Sequence, residues 1–326
     1  MGIQDVVRCI KDNNSFLITS HTNPEGDALG SELSFARLIG ALGKTAVVIN
    51  EDDLPYGYEF LPDTGLIRKF RKNMNVPPFD VFVTVDCSDL FRPGEVHTLN
   101  KKNKPVLNID HHVSNRLFGT VNWVKPEASC CAEMIFEIFK KMKVPIDKEA
   151  ALLFYVGILT DTGSFHYSNT TGFTHEVVAE LMRYGIEPPR VYKNIYENIP
   201  FQDMRLLVDI LPGMKTTLSG KVVWFQIKKE LLKKHKKISF DLSEQILSFG
   251  RSIKGVEAVV LFKENMGEKK EVRVNFRSNG GIDVNKVASC FGGGGHRTAS
   301  GCTIAGTIEN IEKRVLREIK KAFLRL

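Results

Sequence analysis

Short apolar runs alternate with longer stretches of helical period through the first half of the chain. Phe16-Leu-Ile-Thr-Ser20, Thr45-Ala-Val-Val-Ile49, Val81-Phe-Val-Thr-Val85 and Val106-Leu-Asn-Ile109 are each bounded by polar, Gly or Pro positions. Runs that are apolar on both faces suit the buried strands of a parallel sheet covered on both sides. Helical periodicity follows over Ala28–Leu42, stopped by Gly43-Lys44, and again over Ala128–Met142, Lys148–Thr160 and Gly172–Arg183. This alternation predicts βαβ units and a doubly wound α/β domain.

Around Pro188-Pro189 the alternation stops. Residues 191–215 read as a connector, partly helical through Phe201–Ile210, between a domain at 1–190 and a smaller α/β unit at 216–326. In that unit strands are predicted at Val222–Ile227, Ala258–Phe262 and Glu271–Phe276, and helices near Leu242–Phe249, Val284–Cys290 and Ile308–Leu324. The strand Glu271-Val-Arg-Val-Asn-Phe-Arg277 has a period of two. Val272, Val274 and Phe276 therefore face one way, and Arg273, Asn275 and Arg277 the other. A donor-rich face suits phosphate or base edges, and a merely solvated face explains it equally well until Gly292-Gly-Gly-Gly-His296 is added. Four glycines let backbone N–H groups approach a ligand closely.

Composition adds boundaries to this picture. The chain has 326 residues, 43% hydrophobic and 25% charged, enough for two cores. No apolar run approaches the ~18 residues of a membrane helix. The opening MGIQDVVRCIKDNN lacks the apolar core of a signal peptide, and Val6 breaks the myristoylation pattern, so the cytoplasm and no membrane partner are expected. Six cysteines show no CxxC pair and read as small buried hydrophobes; Cys87, beside Asp86, is the one expected near chemistry. The net charge of +7 divides unevenly. Residues 1–200 hold 21 Lys+Arg against 25 Asp+Glu, and residues 201–326 hold 24 against 13. An acidic half suits cations and a basic half suits phosphate-rich ligands, although Lys233-Lys-His-Lys-Lys237 by itself reads as a solvated face.

The candidate chemistry lies where predicted strands and helices end. His21-Thr-Asn-Pro-Glu25-Gly-Asp27 follows the first strand, Asp86 ends the Val81–Val85 run, Asp110-His111-His112 closes the Val106–Ile109 run, and Asp161 precedes the turn at Thr162-Gly163. In open parallel sheets working residues gather beyond the carboxyl ends of the strands. Alone, His21 or Asp86 is an ordinary polar group; as a set at successive element ends they read as a site. Carboxylates so crowded repel one another unless cations hold them together. Five acids with two or three imidazoles suit Mn²⁺ or Fe²⁺ better than Mg²⁺, which favours all-oxygen shells. Two such ions about 3.5–4 Å apart clamp a phosphate and generate hydroxide.

This order of motifs resembles the DHH phosphoesterase superfamily, in particular its small members that degrade nanoRNA and dephosphorylate pAp (3′-phosphoadenosine 5′-phosphate). The likeness covers essentially the whole chain. The first-half motifs resemble the catalytic DHH domain, and Arg277-Ser278 through Gly292–His296 resembles the nucleotide-binding DHH-associated domain. The resemblance implies that His21, Glu25 and Asp86 hold one metal, and Asp27, Asp86, His111 and Asp161 the other, with Asp86 as the bridge. It further implies His112 at the scissile phosphate or leaving oxygen, and Asp110 orienting an imidazole. Arg273, Asn275, Arg277, Ser278, Gly292, Gly293, Gly294, Gly295 and His296 would grip the substrate across a cleft between the domains.

The implied substrates are short single-stranded RNA or DNA oligonucleotides, cut to mononucleotides, and pAp-like nucleotides. Two divalent cations are implied, Mn²⁺ first, with Mg²⁺ or Fe²⁺ as alternatives, in a homodimer. A cyclic- or linear-dinucleotide phosphodiesterase is the rival within the superfamily; the glycine-rich tail weighs against a pyrophosphatase. A catalytically weak nucleotide-binding module is the rival from another class. Two residues depart from the family pattern: Glu25, where Asp is usual, and His166, where related sequences often carry Arg. Histidine is charged only below about pH 6.5 unless perturbed.

Overall fold

Parallel strands with buried faces build the first of two units in this computed structural model, which describes residues 1–235, 242–265 and 270–324. The units are Met1–Asn198 and Ile199–Leu326. The first runs α1 (Ile3–Asp12), β1 (Ser15–Thr19), α2 (Gly26–Ala41), β2 (Thr45–Asn50), β3 (Ile67–Lys69), β4 (Val81–Val85), β5 (Val106–Asp110) and β6 (Val121–Val124). It continues through α3 (Cys131–Met142), α4 (Lys148–Asp161), α5 (Gly172–Met182) and α6 (Pro188–Tyr196). The strands pair in parallel in the order β3-β2-β1-β4-β5-β6. The chain thus moves outward from β1 to β3, then returns to the other side of β1 with β4. That reversal is the topological switch point where ligands bind in such sheets.

Alternate residues of each strand enter different cores. Phe16, Ile18, Val81, Val83 and Val85 join the large core with Leu29, Leu33, Phe139, Phe154 and Ile158 from α2, α3 and α4. Leu17, Ile49 and Phe82 face the other way, into a small cluster closed by Val96. Val96 lies on a 3₁₀ turn, Gly94–Leu99, so this face is covered more thinly than the doubly wound expectation requires. Helix α4 is deeply buried, with Ala150, Ala151 and every residue from Leu153 to Leu159 inside. A Cβ on Gly157 would lie 2.5 Å from the Ala132 Cβ and 3.0 Å from Asp27 Oδ1. This glycine therefore lets α4 cross close to α2 and α3, which carries Asp161 at the end of α4 toward Asp27.

The second unit runs α7 (Phe201–Ile210), β7 (Lys215–Thr217), β8 (Val222–Ile227), α8 (Lys229–Lys234), α9 (Ser243–Arg251) and β9 (Ala258–Glu264). It ends with β10 (Glu271–Ser278), α10 (Val284–Ser289), β11 (Gly294–Gly295), β12 (Ala299–Ala305) and α11 (Ile308–Phe323). Its sheet, among the described residues, has the order β11-β12-β10-β9-β8-β7, with β8 and β9 parallel and the other pairs antiparallel. One face packs Trp224, Val260, Phe262, Val274 and Phe276 against α10 and α11, and the other packs Phe225, Val259 and Leu261 against α7 and α9.

Three sequence expectations are adjusted. Pro188 and Pro189 begin α6 rather than interrupt structure, because a proline in the first turn lacks only an N–H that has no helical partner there. The stretch 191–215 is accordingly helical over most of its length, shared between α6 of the first unit and α7 of the second. In the basic run, Lys234 and His235 both reach Asp209 (2.7 and 2.9 Å), while Lys236 and Lys237 lie outside the described residues. No described helix is long and apolar enough to cross a membrane.

Candidate metal centre

His21, Asp86 and Asp110-His111-His112 leave the sheet at the carboxyl ends of β1, β4 and β5, on the switch-point side. Asp86 adopts φ 56, in the left-handed region that few residues other than glycine occupy, while its N–H donates to the Ile109 carbonyl at 3.0 Å. The strand end is thus turned inward and its carboxylate aimed at three imidazoles. Asp86 Oδ2 is 3.2 Å from His21 Nε2, and Oδ1 is 3.6 Å from His111 Nε2 and 3.5 Å from His112 Nδ1. Asp27, on the first turn of α2, accepts the N–H groups of Cys131 and Ala132, both at 2.8 Å. Those donors belong to the N-terminus of α3, where backbone N–H groups lack helical partners and favour an anion. Asp161 closes α4 with Oδ2 3.6 Å from His111 Nε2. Glu25, exposed at the rim, offers a ligand atom within 4.8 Å of those of His21 and Asp86.

Each of the three imidazoles has an acceptor on Nδ1. His21 Nδ1 donates to the Thr22 carbonyl (2.9 Å), His111 Nδ1 to the Ala128 carbonyl (3.3 Å), and His112 Nδ1 to Asp110 Oδ1 (2.7 Å). An acceptor there assigns the ring proton to Nδ1 and leaves the Nε2 lone pair available, which is how metal-ligating histidines are oriented. The other Asp110 oxygen accepts from Asn115 Nδ2 at 2.6 Å, so both of its oxygens are committed within the loop.

Four acids and two imidazoles are nearly withdrawn from water: Asp27 and Asp110 are 0% exposed, Asp86 3%, His111 2%, His21 7%, and the Asp161 side chain 15%. Burial raises Asp161 to about 8, with Asp27 and Asp86 adding repulsion that His111 only partly offsets. Burial likewise raises Asp27 to about 6, with Asp86 contributing. Burial would also raise Asp86, but the His111 and His21 imidazoles against its two oxygens hold it well below the carboxylate range. For His111 burial works downward, and Asp161 and Asp86 outweigh it to push the imidazole well up. The bare cluster therefore retains protons that divalent cations would displace. Its donors form overlapping groups, Asp27/Asp86/His111/Cys131, His21/Glu25/Asp86 and Asp86/Asp110/His112, and Asp86 belongs to all three. This donor set fits a pair of divalent cations sharing Asp86.

Behind the cluster, Glu32 of α2 is 0% exposed and accepts from Asn50 Nδ2 at 2.7 Å. Burial raises its carboxyl to about 7, although the hydrogen bond from Asn50 opposes the shift. A carboxyl raised in the fold contributes stability that is complete below its unfolded value and is lost as pH rises through the folded one. Glu32→Gln, neutral at every pH, is therefore expected to match the wild type near pH 4.5 and exceed it above pH 7. The gain is up to about 3 kcal/mol, read as the gap between urea-unfolding curves across pH. Parallel curves would contradict the assignment.

Some residues near the chemistry escaped the sequence reading, and one reading needs correction. Cys87 is buried, its thiol donates to the Val85 carbonyl (3.2 Å), and it belongs to none of the donor groups found among the described residues. Cys131 is the cysteine inside them, with Sγ 3.9 Å from Asp86 Oδ1. Asn169 Nδ2 bonds the Ser129 carbonyl (2.8 Å) and both the carbonyl and Oδ2 of Asp161 (3.1 Å each), fixing that carboxylate to the loop before α3. Its signal was available in Phe165-His-Tyr-Ser-Asn169, where only the exposed His166 drew notice.

In the second unit, Val272, Val274 and Phe276 are buried, Arg273 is exposed, and Asn275 and Arg277 are half-buried, as the period of two requires. Arg277 pairs with Glu244, and its Nη1 donates to the Phe276 carbonyl at 2.9 Å. Ser278 does not reach a surface: it is 1% exposed, and its hydroxyl donates to the Ile282 carbonyl at 2.8 Å. The glycine run also serves the fold. Gly294 and Gly295 pair with Gly301 and Ser300, and a Cβ on Gly293 would meet the Gly301 carbonyl at 2.2 Å. Gly292 adopts φ 73 with open space around its Cβ position, and His296 follows β11 with its N–H on the Ala299 carbonyl (2.7 Å).

The comparisons with known proteins agree with this geometry. The DHH family, N-terminal domain, matches residues 15–158, and the DHHA1 domain matches residues 220–324. The bifunctional oligoribonuclease and PAP phosphatase NrnA of Thermus thermophilus is 30% identical over 310 residues, covering 94% of this chain and 90% of that protein. The Bacillus subtilis protein of the same name is 26% identical over 307 residues, covering 92% of each. The crystal structure of an exopolyphosphatase-related protein from Bacteroides fragilis has a TM-score of 0.85 at 25% identity, covering 99% of this chain and 95% of that one.

Proposed function

The chain belongs to the DHH family, and from that membership we propose a metal-dependent phosphoesterase that hydrolyses short oligoribonucleotides to mononucleotides and dephosphorylates pAp-like nucleotides. The observation that carries the reading is one buried carboxylate, Asp86, common to several groups of metal-donor atoms at the switch point of a parallel sheet. In this reading His21, Glu25 and Asp86 would hold one cation and Asp27, Asp86, His111 and Asp161 the other. Divalent cations there, Mn²⁺ by the mixed carboxylate–imidazole chemistry, would supply Lewis acidity toward phosphoryl oxygens and a water nucleophilic at neutral pH.

The protein's own residues do the rest. Asp110 holds the Nδ1 proton of His112, which leaves Nε2 to carry a proton to the leaving oxygen. Burial lowers the His112 imidazole, but the Asp110 carboxylate outweighs it and raises the group overall, as a proton donor near neutrality requires. Arg273, Asn275 and Arg277 on β10, with Gly292 and His296, bind the terminal nucleotide; RNA or DNA ends both offer the phosphate they would recognise. The chain then works as a cytoplasmic homodimer.

The test is hydrolysis of an RNA 5-mer, pAp, a linear dinucleotide, a cyclic dinucleotide and pyrophosphate, each with Mn²⁺, Mg²⁺ or Fe²⁺ and with chelator. Turnover of the 5-mer and pAp, lost with chelator, is expected. Preference for a dinucleotide would replace the substrate reading with that of a dinucleotide phosphodiesterase. No metal-dependent turnover of any substrate would leave a nucleotide-binding module.

A further inference from the structure

Cys131 opens α3, and its thiol lies within the donor cluster. Sγ is buried, 3.9 Å from Asp86 Oδ1 and 3.5 Å from the Ile109 carbonyl. One ligand atom from each of Asp27, Asp86, His111 and Cys131 falls within 4.8 Å of the others. Donors ~2.0–2.3 Å from a tetrahedral ion stand roughly 3.3–3.8 Å apart, so small side-chain movements close this set around one cation. The thiol is also held in place. The Cys131 N–H is fixed on Asp27 Oδ2 at 2.8 Å, at the rigid start of the helix. The adjacent Cys130 directs its sulfur elsewhere, accepting the Glu133 N–H at 3.3 Å as the cap of α3.

We propose that Cys131 is a metal-selecting ligand, a sulfur donor that joins Asp27, Asp86 and His111 around a thiophilic cation such as Zn²⁺ or Cd²⁺ and stands aside for Mn²⁺. The proposal rests on the metal-centre reading above. Thiolate is a soft donor that favours zinc and cadmium, whereas manganese favours oxygen and imidazole. A thiol ligates as the thiolate, so sulfur joins the set only where a cation displaces its proton. That proton leaves as the sulfur–metal bond forms, and solvent or a neighbouring carboxylate accepts it. Sulfur takes the place that Asp161 holds in the Mn²⁺ reading and, with imidazole and two carboxylates, completes four protein ligands, as in structural zinc sites with no open position. Zn²⁺ would thus occupy the centre in a closed, silent form.

The test uses the full chain carrying Cys290→Ser, which removes an exposed thiol, with and without Cys131→Ser. Cd²⁺ titration is followed by the ultraviolet thiolate-to-cadmium charge-transfer band, Zn²⁺ affinity by chelator competition, and Mn²⁺ affinity by electron paramagnetic resonance. The expected result is loss of most of the band with Cys131→Ser. Zn²⁺ affinity should fall ~10-fold or more while Mn²⁺ affinity stays within about threefold. Cys131→Ala, equally small, should behave alike, and its circular dichroism confirms that the fold is kept. A band indifferent to both substitutions, or equal losses for Zn²⁺ and Mn²⁺, overturns the proposal while Mn²⁺ binding leaves the metal centre standing. Absence of Mn²⁺ binding to the reference protein overturns both.

Discussion

Asp86→Ala is expected to remove hydrolysis of every substrate at once, lowering kcat/KM for an RNA 5-mer and for pAp alike by at least ~10³-fold, about 4 kcal/mol. The size follows from position. Asp86 is 3% exposed and is shared by three groups of donor atoms in the first unit. His21 Nε2 and His111 Nε2 both lean on its carboxylate, at 3.2 and 3.6 Å. Without it two imidazoles lose their common anion, and both proposed cation positions would lose a carboxylate donor. Alanine at φ 56 also carries a backbone cost of roughly 1 kcal/mol, which a stability change could mimic. Asp86→Asn separates the two, since asparagine tolerates the left-handed region yet brings no charge. It should fold as the wild type, bind less than the full complement of Mn²⁺ by elemental analysis, and show the same loss of turnover. Survival of either substrate at more than a few per cent would mean that the two activities do not share this bridge.

The contrast between what was legible and what was not follows the range of the forces involved. Val81–Val85 was read to the residue because a strand buried on both faces writes its burial locally, as five consecutive apolar or small positions. β3 and β6 were missed because three or four residues at a sheet edge gain their conformation from the neighbour they pair with. The acids were legible for a topological reason: strand ends of a parallel sheet converge, so a charge after each buried run predicts a cluster. Cys131 was not legible, because its sulfur reaches Asp86 only once α3 is docked with its N-terminus on Asp27. The same applies to Asn169, whose hold on Asp161 spans the turn after α4. Ser278 shows the converse error. A hydroxyl beside Arg277 looks available in the sequence, but as the last residue of β10 it faces inward with Phe276, Val274 and Val272.

His112→Ala is expected to act on a different quantity, kcat without metal binding. The cluster permits two roles for this residue, since Asp86, Asp110 and His112 also bring ligand atoms within 4.8 Å of one another. The proposed function takes the proton-donor role, and the variant tests it. His112 Nδ1 is 2.7 Å from Asp110 Oδ1 and 3.5 Å from Asp86 Oδ1, so Asp110 orients the ring and leaves Nε2 open, to the leaving oxygen in the proposed reading. Removing a positioned proton donor costs ~10²–10⁴ in kcat, with KM and Mn²⁺ stoichiometry close to the wild type. Asp110→Asn should lose less, ~10–100-fold, because the imidazole remains but its orientation and charge support do not. The pH profile gives the sign. Asp110 raises the His112 imidazole against the downward pull of burial, so replacing it lowers that group. An activity that needs the protonated ring then fails at lower pH, and the alkaline limb of kcat should move toward acid in Asp110→Asn. A limb that stays in place, or a His112→Ala protein that has lost Mn²⁺ along with turnover, would make His112 a metal ligand instead.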